Sequence, residues 1–295
     1  MKRKVDGVLL LDKPVGLTSN TALQKAKRLF NAAKAGHTGT LDPFATGLLP
    51  LCFGEATKFS QFLLDADKVY RAEVKLGVRT SSGDLDGDVI AQAPVDVDET
   101  RLLAALAPFM GEIEQVPPMH SALKHQGRPL YEYARQGVEI PRKARRVVIH
   151  DLELEGLQGD ACTLRIHCGK GFYVRALADD LGQVLGCGAH LTGLRRLAVG
   201  AFSVEEALTL EALGNMDEGQ RDACLAPADA LIDALPALVL DVEAEWQLTH
   251  GQPVWQPRLA VDELYRLYGA NGCFLGVAQV NMDGKLAPKR LVANI

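Results

Sequence analysis

The chain has 295 residues, of which 47% are hydrophobic and 23% charged, and its formal net charge at pH 7 is −5. These values are typical of globular proteins, exclude a largely disordered chain and, with this length, predict one large domain and one small domain. The apolar run near the start, which Asp12 and Lys13 interrupt, is too short for a signal peptide or a membrane span. We therefore expect a cytosolic protein with no membrane partner.

The charges are distributed unevenly along the chain. Residues 1–34 contain eight Lys or Arg against two Asp or Glu, and residues 113–146 contain seven against three. Residues 204–245, by contrast, contain eleven acids and one base. A polyanion could bind the basic regions while the acidic stretch faces away, so the net negative charge does not exclude RNA or DNA. Solvated helix faces also collect charge, and both interpretations stay open at this point.

Strands and helices alternate in the N-terminal part of the chain. The pattern predicts a strand that ends at Pro14, then a helix, "TSNTALQKAKRLFNAA", with Thr18, Ser19 or Asn20 as its cap. A glycine-rich loop over residues 36–50 follows, then a helical stretch, "EATKFSQFLL", and a strand, "KVYRAEVKLG". The next turn, "SSGDLDGDVI", has the acidic spacing of a calcium loop but lacks its glycine and its final glutamate, so we reject a calcium site there.

The C-terminal part begins with a helix, "DETRLLAALAPFMG", that starts at Asp98 and ends at Gly111. Residues 115–146 are rich in proline, glycine and basic side chains, which favours a mobile, positively charged excursion with one short helical piece. Two adjacent strands, the amphipathic helix "FYVRALADDLGQVLG" and a further strand follow. From about Leu238, short apolar runs between turns predict a small β-rich domain. Because this order has no regular βαβ period, we expect the α+β class with a mixed sheet.

The sequence contains no spacing typical of a metal or phosphate site. There is no C-x-x-C, no H-E-x-x-H and no glycine-rich phosphate loop, so we expect no metal and no cofactor. A cysteine or serine nucleophile is not excluded by spacing alone. We interpret the six cysteines as reduced thiols of the core: Cys52, Cys162, Cys168, Cys187, Cys224 and Cys273.

Asp42 is the most unusual acidic residue of the chain. It lies in "GHTGTLDPFATGLLP" and is the only acid between Asp12 and Glu55. It could simply cap the turn before Pro43. A functional carboxylate in such an apolar loop needs a cation, because a buried unpaired charge costs several kcal/mol. Arg175, at the start of a predicted helix, is a candidate that spacing alone cannot establish.

Several long segments resemble the TruB family of tRNA pseudouridine-55 synthases. They are "GVLLLDKPVGLTSN", "GHTGTLDPFATGLLPLCFGEATKF", "DKVYRAEVKLGVRTSSGDLDG" and "IHCGKGFYVRALADDLGQVLGCGAHLTGLRRLAVG". The resemblance covers essentially the whole chain in order. It implies a pseudouridine-synthase catalytic domain over residues 1–237, with a mixed sheet, flanking helices and an RNA-binding insertion at about 115–146. It also implies a PUA-like domain over residues 238–295.

The resemblance assigns three residues to the chemistry. Asp42 matches the family's catalytic aspartate, which attacks the target uridine; whether it attacks the anomeric carbon or carbon 6 of the base stays open. Tyr70 matches an aromatic residue that stacks on the flipped base and assists the removal of the proton from carbon 5. Arg175 matches the arginine that pairs with the aspartate.

Four further residues match positions that contact or organise the substrate. His37 matches a residue that packs into the RNA loop, and Tyr173 and Leu194 match contacts to the target nucleotide. Asp84 matches an acidic position that orients its neighbours. Read without the resemblance, Tyr173 and Leu194 would more often be core residues than substrate contacts.

The resemblance also implies a partner, the T-stem-loop of tRNA, and a monomer that works without a guide RNA. Two other functions stay open. One is a tRNA-binding folding chaperone with little or no catalysis. The other is a hydrolase with an aspartate nucleophile and no RNA substrate, which would leave the basic regions unexplained.

Overall fold

Two β-sheets account for most of the strands in the computed structural model, which describes residues 1–293. In chain order the strands are β1 (Gly7–Lys13), β2 (Ala35–His37), β3 (Thr46–Phe53), β4 (Lys68–Leu76), β5 (Val78–Thr80), β6 (Val89–Gln92), β7 (Gly111–Gln115), β8 (Lys124–His125), β9 (Arg128–Pro129), β10 (Arg145–Gln158), β11 (Ala161–Cys168), β12 (Ala189–Val199), β13 (Phe202–Ser203), β14 (Ala237–Val239), β15 (Val254–Trp255), β16 (Leu264–Tyr268), β17 (Phe274–Val280) and β18 (Lys285–Leu291).

Short helices connect these strands. The α-helices are α1 (Ser19–Leu29), α2 (Ser60–Asp65), α3 (Glu99–Leu106), α4 (Leu130–Ala134), α5 (Val174–Leu185), α6 (Leu210–Asn215), α7 (Glu218–Ala223) and α8 (Val242–Thr249). Single turns of 3-10 helix lie at Gly54–Lys58, Ala107–Phe109, Val204–Glu206 and Ala228–Ile232.

The larger sheet has nine strands. Seven of them follow in the order β1-β3-β12-β4-β11-β10-β7, while β2 pairs with β3 and β13 pairs with β12. β12 runs parallel to β3, and the remaining pairs are antiparallel. The predicted α+β class with a mixed sheet is therefore confirmed.

The local signals in the sequence explain where several helices begin and end. The Thr18 side chain accepts a hydrogen bond from the Thr21 N–H and caps α1, and the Asp98 side chain caps α3 in the same way through the Arg101 N–H. Helix α5 ends at Leu185 and is followed by Gly186, whose φ of 78° is the left-handed conformation that glycine permits. The Thr18 and Asp98 side chains satisfy backbone N–H groups that have no partner within their helices.

The core lies between the larger sheet and the helices on its face. Strand β3 is buried from Gly47 to Phe53, as its almost unbroken apolar sequence requires. Helix α5 packs Leu177, Leu181 and Leu185 into the same core. This packing fixes the first turn of α5 over the sheet, beside the loop that precedes β3.

Three predicted helices differ in detail. Helix α1 ends at Leu29, before "NAA", and Asn31 has a φ of 48°, which a right-handed helix cannot accommodate. The helical stretch "EATKFSQFLL" is divided into a 3-10 turn and α2. The helix predicted to end at Gly111 changes at Ala107 into a 3-10 turn, since Pro108 has no N–H to donate to the preceding turn.

The basic segment 115–146 contains more structure than one helical piece. Helix α4 is that piece, and the two-residue strands β8 and β9 pair just before it. The Leu130 N–H also donates to the Leu123 carbonyl oxygen at 2.7 Å. The segment therefore has hydrogen bonds of its own.

The smaller sheet has five strands in the order β14-β16-β17-β18-β15 and confirms the β-rich C-terminal part. Leu248 of α8 and Leu286 of β18 belong to its separate apolar core. It contacts the rest of the chain through the rings of Phe59 and Phe274, whose centroids are 5.3 Å apart. The sequence-predicted boundary after residue 237 falls within β14.

The prediction that all six cysteines are core thiols is wrong for two of them. Four cysteines are buried: Cys52, Cys162, Cys168 and Cys187. Cys224 is half-buried and Cys273 is exposed. Cys273 lies in the turn between β16 and β17, where the chain must reverse at the surface.

No helix in the described range 1–293 has the length and apolar character needed to cross a membrane.

Candidate active site

Asp42 lies in the loop between β2 and β3, and its backbone is fixed by neighbouring elements. Ser19, the first residue of α1, donates its hydroxyl to the Leu41 carbonyl oxygen at 3.0 Å and accepts from the Leu41 N–H at 2.7 Å. The Ala45 N–H donates to the Asp42 carbonyl oxygen at 3.1 Å, which closes a turn through Pro43. The turn is thus made by the Asp42 backbone, and the carboxylate is left to interact elsewhere.

The Asp42 carboxylate forms a two-point ion pair with Arg175. Arg175 Nε lies 3.0 Å from Asp42 Oδ2, and Nη2 donates to Oδ1 at 3.3 Å. The Arg175 side chain is 5% exposed and that of Asp42 is 32% exposed, so the aspartate faces outward from a buried cation. Planar guanidinium groups favour this geometry with carboxylates. The partner that the sequence left open is therefore present at the start of α5.

The Arg175 guanidinium has three further partners. It donates to the carbonyl oxygens of Ser82 at 3.2 Å and His120 at 2.6 Å, and its Nε lies 3.5 Å from Asp84 Oδ2. With all these contacts the guanidinium has little freedom to move. The two carboxylates consequently share one buried cation.

Asp84 is buried and organises the turn that surrounds Arg175. Its Oδ1 accepts hydrogen bonds from the Ser82 hydroxyl and, at 3.0 Å, from the Asp86 N–H. Asp84 also forms an isolated parallel bridge with Leu191 of β12, whose N–H donates to the Gly83 carbonyl oxygen at 3.0 Å. Asp84 therefore contacts Arg175 and the protein backbone, as an orienting residue would.

Burial raises the pKa of the Asp42 carboxyl above its ordinary value, because a charged group loses hydration in this loop. The Arg175 charge opposes that rise, and the Asp84 charge adds to it. The ionised form of Asp42 is therefore favoured by Arg175 and, as the pH falls, is lost at a higher pH than in an ordinary aspartate.

Tyr70 and Arg196 lie opposite each other on adjacent strands. They are Cα partners in the pairing of β4 with β12, and Leu194 is opposite Ala72 two positions away. Burial raises the pKa of the Tyr70 hydroxyl, and the neighbouring Arg196 charge opposes this effect. Asp42 is close enough for its charge to act on the Tyr70 hydroxyl as well. The Tyr70 hydroxyl thus lies within range of the Asp42 charge.

The other predicted contacts surround this group at different depths. Tyr173 is half-buried immediately before α5, and the charges of Arg175 and Asp42 act on its hydroxyl. Leu194 is 9% exposed and belongs to the core. His37 is half-buried on β2, where burial and the Arg196 charge lower its pKa, so its imidazole is neutral at pH 7. The structure therefore brings Tyr173 within range of the ion-pair charges, whereas Leu194 packs in the core and His37 lies within range of the Arg196 charge.

Arg196 is a buried residue whose importance the sequence did not indicate. Its side chain is 1% exposed, and its Nε donates to the Leu48 carbonyl oxygen at 2.7 Å. Alternation along β12 directs the adjacent Arg195 outward to Asp12, at 2.7 Å. That alternation, applied to the pair of arginines in "GLRRL", is a signal that could have identified the buried member.

Gly47, the second residue of β3, shows why the glycine-rich segment 36–50 needs glycine at this position. It pairs with Arg196, and a Cβ atom at Gly47 would lie 2.3 Å from the Arg196 carbonyl oxygen. Its φ of 100° is also one that L side chains rarely adopt. Close approach of β3 to β12 thus requires the glycine, independently of any RNA.

Lys13 is a second buried cation that the sequence analysis missed. It is fully buried, and its Nζ donates to the carbonyl oxygens of Pro14, Leu17 and Pro43 at 2.9, 2.7 and 3.4 Å. Burial lowers its pKa to about 8, against the opposing effect of the Asp42 charge. A lysine at the end of an apolar strand, directly before proline, was the available signal. Lys13 fixes the two turns on either side of the site.

The arrangement is suited to covalent catalysis by a carboxylate. A partly exposed aspartate contacts a buried arginine that favours its ionised form, and the aromatic Tyr70 lies within range of its charge. Within residues 1–293 no three His, Cys, Asp or Glu side chains are grouped so that they could hold a metal ion. The roles of the individual residues in the chemistry stay predictions.

Family models match almost the whole chain. The model of the TruB family pseudouridylate synthase N-terminal domain matches residues 27–174. The tRNA pseudouridylate synthase B C-terminal domain matches residues 175–233, and the C-terminal model of pseudouridine synthase II TruB matches residues 236–292. The three matches follow one another without overlap.

Curated relatives match over their whole length. The tRNA pseudouridine synthase B of Aromatoleum aromaticum is 58% identical over 294 residues, which cover 100% of this chain and 95% of the relative. The protein of the same name from Methylobacillus flagellatus is 54% identical over 292 residues, with coverage of 99% and 97%.

Solved structures share the fold at lower identity. An H/ACA RNP bound to a substrate RNA containing 2'-deoxyuridine includes a chain with a TM-score of 0.75 and 24% identity, covering 97% of this chain and 85% of that one. A Cbf5-Nop10-Gar1 complex includes one with a TM-score of 0.73 and 26% identity, with coverage of 98% and 84%.

Fold, site and matches together define a pseudouridylate synthase. The chain belongs to the TruB family. The resemblance seen in the sequence motifs is thereby confirmed.

The ion pair predicts the titration of Asp42. In the variant Arg175→Gln the opposing cation is lost, so the pKa of the Asp42 carboxyl should rise further, and the group should protonate at higher pH than in the wild type. NMR titration of 13C-labelled aspartate carboxyls would measure this. Arg195→Gln, which removes the partner of Asp12 instead, is the matched control. An Asp42 resonance that titrates identically in Arg175→Gln and wild type would contradict the electrostatic role.

Proposed function

We propose that the protein converts a uridine of tRNA into pseudouridine, with Asp42 as the covalent nucleophile. One observation carries this proposal. The outward-facing carboxylate that is paired with buried Arg175 lies in a chain that is 58% identical to a tRNA pseudouridine synthase B. Family membership supports the reaction, and the geometry of the ion pair supports Asp42 as the nucleophile.

The reaction is an isomerisation of the base on its sugar. The bond between base nitrogen 1 and the anomeric carbon breaks, and a bond from base carbon 5 to the same carbon forms. Carbon 5 loses a proton and nitrogen 1 gains one, so atoms and electrons balance without an oxidant or a reductant. This balance fits the expectation that no cofactor takes part.

Asp42 starts the reaction in its ionised form. It attacks the target uridine either at the anomeric carbon or at carbon 6 of the base, and both routes need a charged carboxylate with an unshielded oxygen. Arg175 favours that charge although burial opposes it. Activity should therefore decline as the pH falls through the raised pKa of Asp42.

Tyr70 would act after bond cleavage. Its ring would stack on the detached base, and its hydroxyl would assist removal of the proton from carbon 5. Arg196, its partner across the strands, contributes a positive charge that lowers the cost of a negative charge on the hydroxyl. Water must stay out meanwhile, because hydrolysis of the covalent intermediate would release the base.

The target uridine must leave the RNA stack before it reaches Asp42. Extrusion of a base costs roughly a few kcal/mol, which stacking and a shaped pocket offset. Tyr70 and Tyr173 provide the aromatic surfaces, Leu194 an apolar contact, and His37 a neutral ring that packs into the RNA loop. A neutral imidazole suits this position because it enters the loop without a charge to desolvate.

The proposed target is position 55 in the T-loop of tRNA, and the proposed enzyme is a monomer that needs no guide RNA. The basic stretches, residues 1–34 and 113–146, would bind the phosphate backbone. A tRNA substrate and cysteines without disulfides in the described range fit a cytoplasmic enzyme.

We further propose two domains, residues 1–237 and 238–295, of which the second is PUA-like and contacts the acceptor side of the tRNA. From Leu238 onward the chain has five Lys or Arg and six Asp or Glu. Its contribution to phosphate binding would thus be small. Most of the electrostatic affinity would come from the first domain.

Mapping the product tests the function directly. A tRNA transcript incubated with the wild-type protein should gain pseudouridine at position 55 alone, detected by carbodiimide modification and primer extension. The matched control is the same transcript with cytidine at position 55, which should gain none. Modification at another position would contradict the T-loop assignment. Tight binding without any modification would favour the tRNA-binding chaperone instead.

The salt dependence of binding tests the electrostatic interface. We expect log Kd for tRNA to rise linearly with log salt concentration, since phosphate contacts release counterions. Replacing exposed Lys124 and Lys143 by Gln should reduce that slope by up to about two. Lys75→Gln, at the far end of β4 and paired with Asp160, should leave it unchanged. Equal slopes for wild type and the double variant would exclude these two lysines from the interface.

A further inference from the structure

Gln115 occupies the point where the basic segment leaves the larger sheet. It is the last residue of β7, and its Cα partner is Arg145, the first residue of β10. The chain between them, residues 116–144, lies outside that sheet. Gln115 and Arg145 therefore form the neck of the segment that we propose to bind RNA.

The Gln115 side chain is buried, and both ends of its amide are used. It is 2% exposed, whereas its neighbour Glu114 is exposed. Its Nε2 donates to the Tyr173 carbonyl oxygen at 3.1 Å, and its Oε1 accepts from the Tyr173 N–H at 2.8 Å. The amide thus binds the backbone of a residue 58 positions away, in the manner of one rung of a β-ladder.

Tyr173 is the residue at the N-terminal end of α5, beyond the leucines that pack the helix into the core. It directly precedes the helix, and no side chain caps the helix there. The two hydrogen bonds from Gln115 therefore fix the backbone at the beginning of the helix. Arg175 follows two residues later, within the first turn, so its position is set by the same contacts.

The segment that begins at Gln115 also contacts Arg175 directly. The His120 carbonyl oxygen accepts a hydrogen bond from Arg175 Nη2 at 2.6 Å. Residues 115–120 consequently contact both the backbone before the helix and the guanidinium that pairs with Asp42. A displacement at the neck would be transmitted to both.

We propose that Gln115 is a positioning residue for the reaction. By holding the Tyr173 backbone to the neck of the basic segment, it keeps the Arg175 guanidinium in two-point contact with Asp42. The segment that engages RNA and the ion pair that performs the chemistry are then coupled through one amide side chain. This inference rests on the proposed function, because it concerns the efficiency of that reaction.

Two variants separate the parts of the interaction. Gln115→Met is similar in size and removes both hydrogen bonds. Gln115→Glu keeps the acceptor for the Tyr173 N–H but places a carboxylate oxygen against the Tyr173 carbonyl oxygen. The matched control is Gln158→Met, the same substitution at the exposed far end of β10.

We expect Gln115→Met to lower the single-turnover rate of pseudouridine formation about 10- to 100-fold, because small displacements of a catalytic group cost this much. Gln115→Glu should lose at least as much, because it buries an unpaired charge against the Tyr173 carbonyl oxygen. The Kd for tRNA should change less than about twofold in both, since no Lys or Arg that could bind phosphate is altered. Gln158→Met should match the wild type in rate and affinity.

The pH profile distinguishes positioning from a general loss of structure. If Arg175 moves away from Asp42, its opposition to the raised Asp42 pKa weakens, and the acid limb of the rate profile shifts to higher pH. A variant that is merely less stable would lose folded molecules without moving this limb. Rates are therefore expressed per folded molecule, with the folded fraction taken from circular dichroism at the assay temperature.

A readout independent of activity is the hydrogen exchange of the Tyr173 amide, which should lose protection in Gln115→Met and keep it in Gln158→Met. The proposal is overturned if Gln115→Met has the wild-type rate per folded molecule and an unmoved acid limb. It is also overturned if Tyr173 exchange is unchanged. A wild-type protein that forms no pseudouridine would contradict the proposed function instead, so the two failures are distinguishable.

Discussion

The contact between Arg175 and Asp42 is the interaction on which the site depends. A carboxylate in an apolar loop takes up a proton unless a cation favours its charged form, and a protonated aspartate is a poor nucleophile. The cation in turn is 5% exposed, and a buried guanidinium without partners would cost several kcal/mol. Asp42, Asp84 and two carbonyl oxygens together stabilise the buried guanidinium. Removing any one of them therefore affects the others.

The larger sheet holds the elements that carry Asp42 and Arg175 in fixed positions. Strand β3 follows the Asp42 loop, helix α5 carries Arg175 over the same sheet, and β12 lies between β3 and β4 with Arg196 beside Tyr70. Lys13 also holds the Asp42 loop, because its ammonium group donates a hydrogen bond to the carbonyl oxygen of Pro43. Lys13 and Arg196 are buried cations near Asp42 and Tyr70. Neither has a carboxylate partner among the described ion pairs, and both lie near a site that would receive a polyanion.

Much of the fold could be predicted from local patterns, whereas the site could not be assembled from them. Thr18 and Asp98 indicate where their helices begin, because capping depends on residues that are close in sequence. The contact of Arg175 with Asp42 joins residues 133 positions apart, and that of Gln115 with Tyr173 joins residues 58 apart. Such pairs follow from strand order, which no local pattern encodes. Local sequence made Asp42 and Arg175 candidates and the resemblance gave them roles, but neither gave a role to Lys13, Arg196 or Gln115.

The most direct test of the central claim is tritium release from a tRNA transcript labelled at carbon 5 of uridine, with wild type and Asp42→Asn compared in single turnover. We expect about one equivalent to be released by the wild type and none by Asp42→Asn, with tRNA affinity retained because the carboxylate is not a phosphate contact. Asp88→Asn, the same exchange at an exposed position, should behave as the wild type. Release by Asp42→Asn at the wild-type rate would contradict the assignment of Asp42 as the nucleophile.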